Sequence, residues 1–168
     1  AKEMEKDFAA GNFDGVLKAW PDLQNVTVES LKLVVRSLLE LRKQGEMQEI
    51  LQTMLDLNSA LRSAWAMNQV LAIVSPKGMT LGLQVFDIFA GTGVSANDAT
   101  FESILGGLKD STPEHITEVT SHMKINMTAR VYSLLVKGAI KSKRVDRALH
   151  FMTGMHDAGH SIPPSCLG

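Results

Sequence analysis

The chain has 168 residues, 45% of them hydrophobic and 21% charged, with 17 Lys and Arg against 18 Asp and Glu for a net charge of −1. That composition is globular rather than disordered and lacks the overall positive charge of a strongly basic nucleic-acid binder. A single cysteine, Cys166, excludes an internal disulfide framework and a Cys-rich zinc site, and no apolar stretch reaches membrane-spanning length. The chain begins at Ala1 rather than at a methionine, so it is expected to be a processed product or a fragment.

In chain order, the apolar residues recur at helical steps of three and four. Leu31, Val34, Val35, Leu38 and Leu39 form one stripe, and Met47, Ile50, Leu51, Met54 and Leu55 form the next. Tyr132, Leu135, Val136 and Ile140 repeat the pattern near the end of the chain. Breakers fall between the stripes at Gly45, Ser75-Pro76, Gly91-Thr92-Gly93, Ser111-Thr112-Pro113 and Gly159. Thr112-Pro113-Glu114 reads as an N-cap, a first-turn proline and an acid at the positive end of a helix. No stretch alternates as a strand would, so an all-α chain of about ten helices of roughly 10–15 residues is expected.

The helices are also expected to pair. Gly11-Asn12-Phe13-Asp14-Gly15-Val16-Leu17 aligns with Gly45-Glu46-Met47-Gln48-Glu49-Ile50-Leu51 and with Lys143-Arg144-Val145-Asp146-Arg147-Ala148-Leu149. Met79-Thr80-Leu81-Gly82-Leu83 matches the second half of that pattern. The anchors Val16, Ile50, Gly82, Thr117 and Ala148 are then 34, 32, 35 and 31 residues apart. Five helix-turn-helix units would fill the chain, at about 1–27, 28–62, 63–97, 98–128 and 129–165. Helices this short cannot each bury a face alone, so stacking into an α-solenoid is expected, either complete or as part of a longer array.

One segment carries a family resemblance. Val131-Tyr132-Ser133-Leu134-Leu135-Val136-Lys137-Gly138, followed by Arg144 to Met152, Met155 and Ala158-Gly159, resembles a pentatricopeptide repeat. Gly82-Leu83-Gln84-Val85-Phe86 with Gly93-Val94, and Asp98-Ala99-Thr100-Phe101, are similar to parts of the same repeat. The likeness extends over residues from about 63 to 165 and is degenerate: two spacings are short, and the terminal proline is present only at Pro163-Pro164. It implies a binding scaffold without catalysis, in a chloroplast or mitochondrion, of a kind that mostly binds single-stranded RNA at one base per repeat. In that family the residue after the first-helix aromatic pairs with the last residue of the repeat to choose a base. Carried over, the pairs are Met67 with Asn97, Glu102 with about Ala129, and Ser133 with Pro163, none of them intact. Glu102 would also set a carboxylate beside phosphates.

The near-zero net charge is a cancellation. Residues 1–62 carry 8 basic and 10 acidic side chains, residues 63–123 carry 2 and 6, and residues 124–168 carry 7 and 2. Arg130, Ser133, Lys137 and Lys141 share a helix face about 80° wide, with Lys143, Arg144 and Arg147 following as a basic patch. This strip reads either as a surface for an anionic partner or as a solvated face whose last lysines complement a helix C-terminus. His156, His160 and Cys166 could be drawn as a metal site, but Gly159 interrupts them, and His115 with His122 reads as a solvated face. Gly91-Thr92-Gly93 lacks the strand and lysine of a phosphate loop, Trp20 and Trp65 read as packing residues, and the nine methionines read as core filler. Nothing points to an enzyme, a cofactor, a metal or a small-molecule substrate. The reading expected first is a scaffold that binds protein subunits of a larger organellar complex. The alternative is an organellar factor that binds single-stranded RNA.

Overall fold

The computed structural model describes residues 2–107, 113–124, 128–141 and 143–161, without the side chains of 79, 105–107 and 113–117. Among these residues there are ten α-helices and no strand. They are α1 (Lys2–Ala9), α2 (Phe13–Ala19), α3 (Val28–Glu40), α4 (Met47–Leu57), α5 (Ala64–Val74), α6 (Met79–Ala90), α7 (Asp98–Gly107), α8 (Pro113–His122), α9 (Ala129–Lys141) and α10 (Val145–Asp157). Two of these helices fall within each of the five ranges expected from the sequence. None is long and apolar enough to cross a membrane. Thr112, Pro163, Pro164 and Cys166 lie outside the described residues, as do the side chains of Pro113, Glu114, His115 and Thr117.

The chain divides into two compact units, residues 1–95 and 96–168. In the first, α1 packs on α2, α2 on α3 and α5 on α6. Alternate helices also touch: α3 packs on both α1 and α5, and α4 packs on α6. Its core includes Met4, Val16, Leu31, Val34, Val35, Leu38, Met47, Leu51, Met54, Met67, Val70, Leu71 and Phe89. In the second unit α9 packs on α10, α7 on α9 and α8 on α10. There Phe101, Val131, Leu135, Val136, Ala139, Ala148 and Phe151 form one apolar cluster.

Capping residues explain where the helices begin. Before α3, the Thr27 and Ser30 hydroxyls close a capping box: the Ser30 N–H donates to Thr27 Oγ1 at 3.2 Å and the Thr27 N–H to Ser30 Oγ at 2.8 Å. Ser63 caps α5 by accepting from the Ala66 N–H at 3.1 Å, and Thr128 caps α9 by accepting from the Val131 N–H at 3.3 Å. Asn97 and Thr100 make the equivalent reciprocal pair before α7, both bonds at 3.1 Å.

Schellman turns explain where α1, α3 and α9 end. The N–H groups of Asn12, Lys43 and Arg144 donate to the carbonyls of Asp7, Leu38 and Ala139, at 2.7, 2.8 and 2.8 Å. The preceding residues Gly11, Arg42 and Lys143 take φ of 78°, 57° and 60°. This geometry corrects the second repeat. Gly45 matches Gly11 in the sequence, but Arg42 occupies the left-handed position, and Gly45 belongs to the 3₁₀ turn Gln44–Glu46. Counted from the Schellman turn, the residues equivalent to Phe13 and Val145 are therefore Gln44 and not Met47. The buried anchor equivalent to Val16 and Ala148 is Met47, while Ile50 is only half-buried.

Candidate functional site

The candidate groove residues divide by burial. Arg130, Lys137 and Lys141 are exposed on α9, and Ser133 is half-buried beside them. The opposite face of α9 buries Val131, Leu135, Val136 and Ala139, which fixes the strip toward solvent. Arg130 forms an ion pair with Asp98 at the start of α7, so its charge is engaged inside the second unit. Lys137, Lys141, Lys143 and Arg144 are exposed and make no ion pair among the described residues. The main chain of Lys143 and Arg144 closes α9, with the Lys143 N–H donating to the Ile140 carbonyl at 2.9 Å. Their side chains stand at the start of α10, which has no side-chain cap, so the positive end of the helix dipole adds to the cations and Asp146 in the first turn opposes it.

Arg147 does not belong to the exposed patch. It is 6% exposed, and its Nη1 has no hydrogen-bond partner among the described residues. At the third position of α10 it sits at the margin of the face that buries Ala148, Phe151 and Met155. The helix turn that places Ala148 in the core carries Arg147 with it.

Met67 is also misplaced as a surface residue, since it is fully buried. It is the fourth residue of α5, as Phe101 is of α7 and Tyr132 of α9. Met67 therefore holds the helix position that Phe101 and Tyr132 hold in α7 and α9, and the residue after it is Asn68. The fifth positions of α3, α5, α7 and α9 are Lys32, Asn68, Glu102 and Ser133. Glu102 is exposed, and Asn68 and Ser133 are half-buried. Lys32 sits 3.8 Å from Glu29. The N-cap position of each first helix offers the signal that finds Asn68: counting from Ser63 as from Asn97 and Thr128 brings it into register. Asn97 is exposed, but its Oδ1 is held by the Thr100 N–H and hydroxyl.

Trp20 is buried as expected, whereas Trp65 is 61% exposed. Trp65 is the second residue of α5, outside the arc formed by Ala66, Met67, Val70, Leu71 and Val74. Other large apolar side chains in solvent are Leu57 in the first unit and Ile140, Val145 and Leu149 in the second. Helical spacing does not foretell this last group, since it places Ile140 in the same stripe as Tyr132, Leu135 and Val136. Six of the methionines, Met4, Met47, Met54, Met67, Met123 and Met155, are buried. His160 lies against Tyr132 with ring centroids 5.8 Å apart. Among the described residues no cluster of three or more His, Cys, Asp or Glu could hold a metal ion.

What α9 and α10 offer chemically is a cationic turn with an apolar edge. Compared with known proteins, the chain matches no family model and no curated sequence.

Proposed function

We propose that the chain is a non-catalytic helical-repeat scaffold of α-solenoid type, resembling pentatricopeptide repeats, that holds a protein partner within a larger organellar assembly. The observation that carries this reading is the alternate-helix packing, α1 with α3 with α5, α4 with α6, α7 with α9, and α8 with α10. That neighbour pattern is how stacked helical hairpins share a core, and such stacks expose continuous surfaces for partners. The partner is expected to be protein because exposed cations adjoin exposed large apolar side chains at α9 and α10, a combination typical of protein interfaces. Glu102 and the neutral net charge weigh against a phosphate-binding groove along the whole length.

A second reading, binding of single-stranded RNA, is favoured by one observation. Lys137, Lys141, Lys143 and Arg144 stand exposed with no ion pair among the described residues, cations of the kind that neutralise phosphates. The two readings separate in solution. With a fluorescent random-sequence single-stranded RNA at low salt, the scaffold reading predicts anisotropy no greater than for a neutral protein. Immobilised on beads in RNase-treated organellar extract, the same chain should retain a stoichiometric protein. Tight RNA binding with a steep salt slope, and no protein retained, would overturn the scaffold reading.

A further inference from the structure

The exposed apolar residues at the α9–α10 turn are not explained by the fold. Val145 and Leu149 are the first and fifth residues of α10, one turn apart on one face, and are 67% and 57% exposed. Half-buried Met152 continues the same stripe. The equivalent positions in the second repeat, counted from its Schellman turn, are Gln44 and Gln48, both exposed. The first repeat carries Phe13 and Leu17 at these positions, but both are half-buried, so it is exposure that sets Val145 and Leu149 apart. Ile140, 44% exposed, lies at the other side of the turn, where its carbonyl accepts from Lys143. Lys143 and Arg144 immediately precede Val145, and Lys137 and Lys141 flank Ile140 along α9, all four exposed, with Asp146 next to Val145 on α10.

We infer that Val145, Leu149 and Ile140 form a docking seam for an acidic amphipathic helix of a partner protein, its carboxylates facing Lys137, Lys141, Lys143 and Arg144. The inference rests on the scaffold reading and specifies the partner's chemistry. Val145 and Leu149 at i and i+4, with half-buried Met152 at i+7, match the knob row of one helix, and the cations beside them select acids on its flanks. A second copy fits less well. Seam against seam would bring two cationic borders together, and in residues 2–95 the exposed large apolar side chains are Leu57 and Trp65, where Asp56 is already 3.6 Å from Arg62. An anionic membrane fits less well too, because the seam is one helix row wide and Asp146 and Asp157 are exposed on the same helix.

The test uses the whole chain and a synthetic peptide, helical, with leucines at i, i+3, i+4 and i+7 flanked by glutamates. Fluorescence anisotropy should show binding that weakens with salt and falls about tenfold or more in Val145→Asp/Leu149→Asp. Val145→Ser/Leu149→Ser should act the same way, and circular dichroism should match native for both. Lys141→Glu/Lys143→Glu/Arg144→Glu should lose the glutamate peptide and gain its lysine-substituted counterpart. Equal binding by native and seam variants, or no binding by native, overturns the inference. So does light scattering showing a dimer abolished by the seam variants, or tighter association with phosphatidylserine vesicles than with the peptide. Failure of the scaffold reading looks different: neither native nor seam variants would then retain any protein from RNase-treated extract. A partner retained equally by native and seam variants would leave the scaffold in place and displace the seam.

Discussion

Arg147→Met should stabilise the protein. Arg147 is 6% exposed, and its buried Nη1 has no hydrogen-bond partner among the described residues. An unsatisfied buried donor costs about 1–3 kcal/mol, and desolvating the charge adds to that cost. Methionine keeps a long, flexible apolar stem and fills irregular space, so little packing is lost. The net expectation is a gain of about 1–3 kcal/mol, read as a higher urea midpoint with an unchanged slope. Lys143→Met, at an exposed position in the turn before α10, is the control and should shift stability by less than about 0.5 kcal/mol. A loss of more than about 1 kcal/mol in Arg147→Met would show that the guanidinium is anchored by a partner, and would refute the reasoning.

Other substitutions probe the caps and turns that define the repeats. Thr27→Ala removes the side-chain acceptor of the Ser30 N–H and should cost about 1 kcal/mol in chemical denaturation. Asn97→Ala should cost a similar amount, because Asn97 Oδ1 caps α7; an unchanged midpoint would show that this cap adds little to the helix. Arg42→Gly should gain about 0.5–1 kcal/mol in thermal unfolding, since a non-glycine residue at φ 57° bears the left-handed cost. Gly138→Ala should gain a similar amount: Gly138 lies inside α9, and an added Cβ would meet nothing within 4 Å. A loss in either variant would mean that the backbone there is constrained by more than its helix.

Much of the fold was legible in the sequence because short helices must keep one apolar face. The stripe Leu31, Val34, Val35 and Leu38 is buried as its spacing implies. What the spacing could not reveal was register. Gly45 imitated Gly11, but Arg42 closes α3 and Gln44–Glu46 forms the first turn of the next helix as a 3₁₀ turn, so the second anchor is Met47 and not Ile50. Met67, standing where other repeats carry an aromatic, hid Asn68 by one residue. Charge likewise does not report burial: Arg147 counts with Lys143 and Arg144 in any tally, yet the turn that buries Ala148 takes it inside. Trp65 errs the other way, since aromatic bulk suggested the core while its helical position faces solvent.

Whether this surface holds protein or RNA is tested most directly by chemical cross-linking with mass spectrometry in organellar extract, with and without RNase. The account predicts one protein partner whose cross-links to Lys137, Lys141 and Lys143 survive RNase and whose linked segment is acidic. Cross-links that vanish with RNase, together with ultraviolet RNA adducts at Asn68 or Ser133, would contradict it.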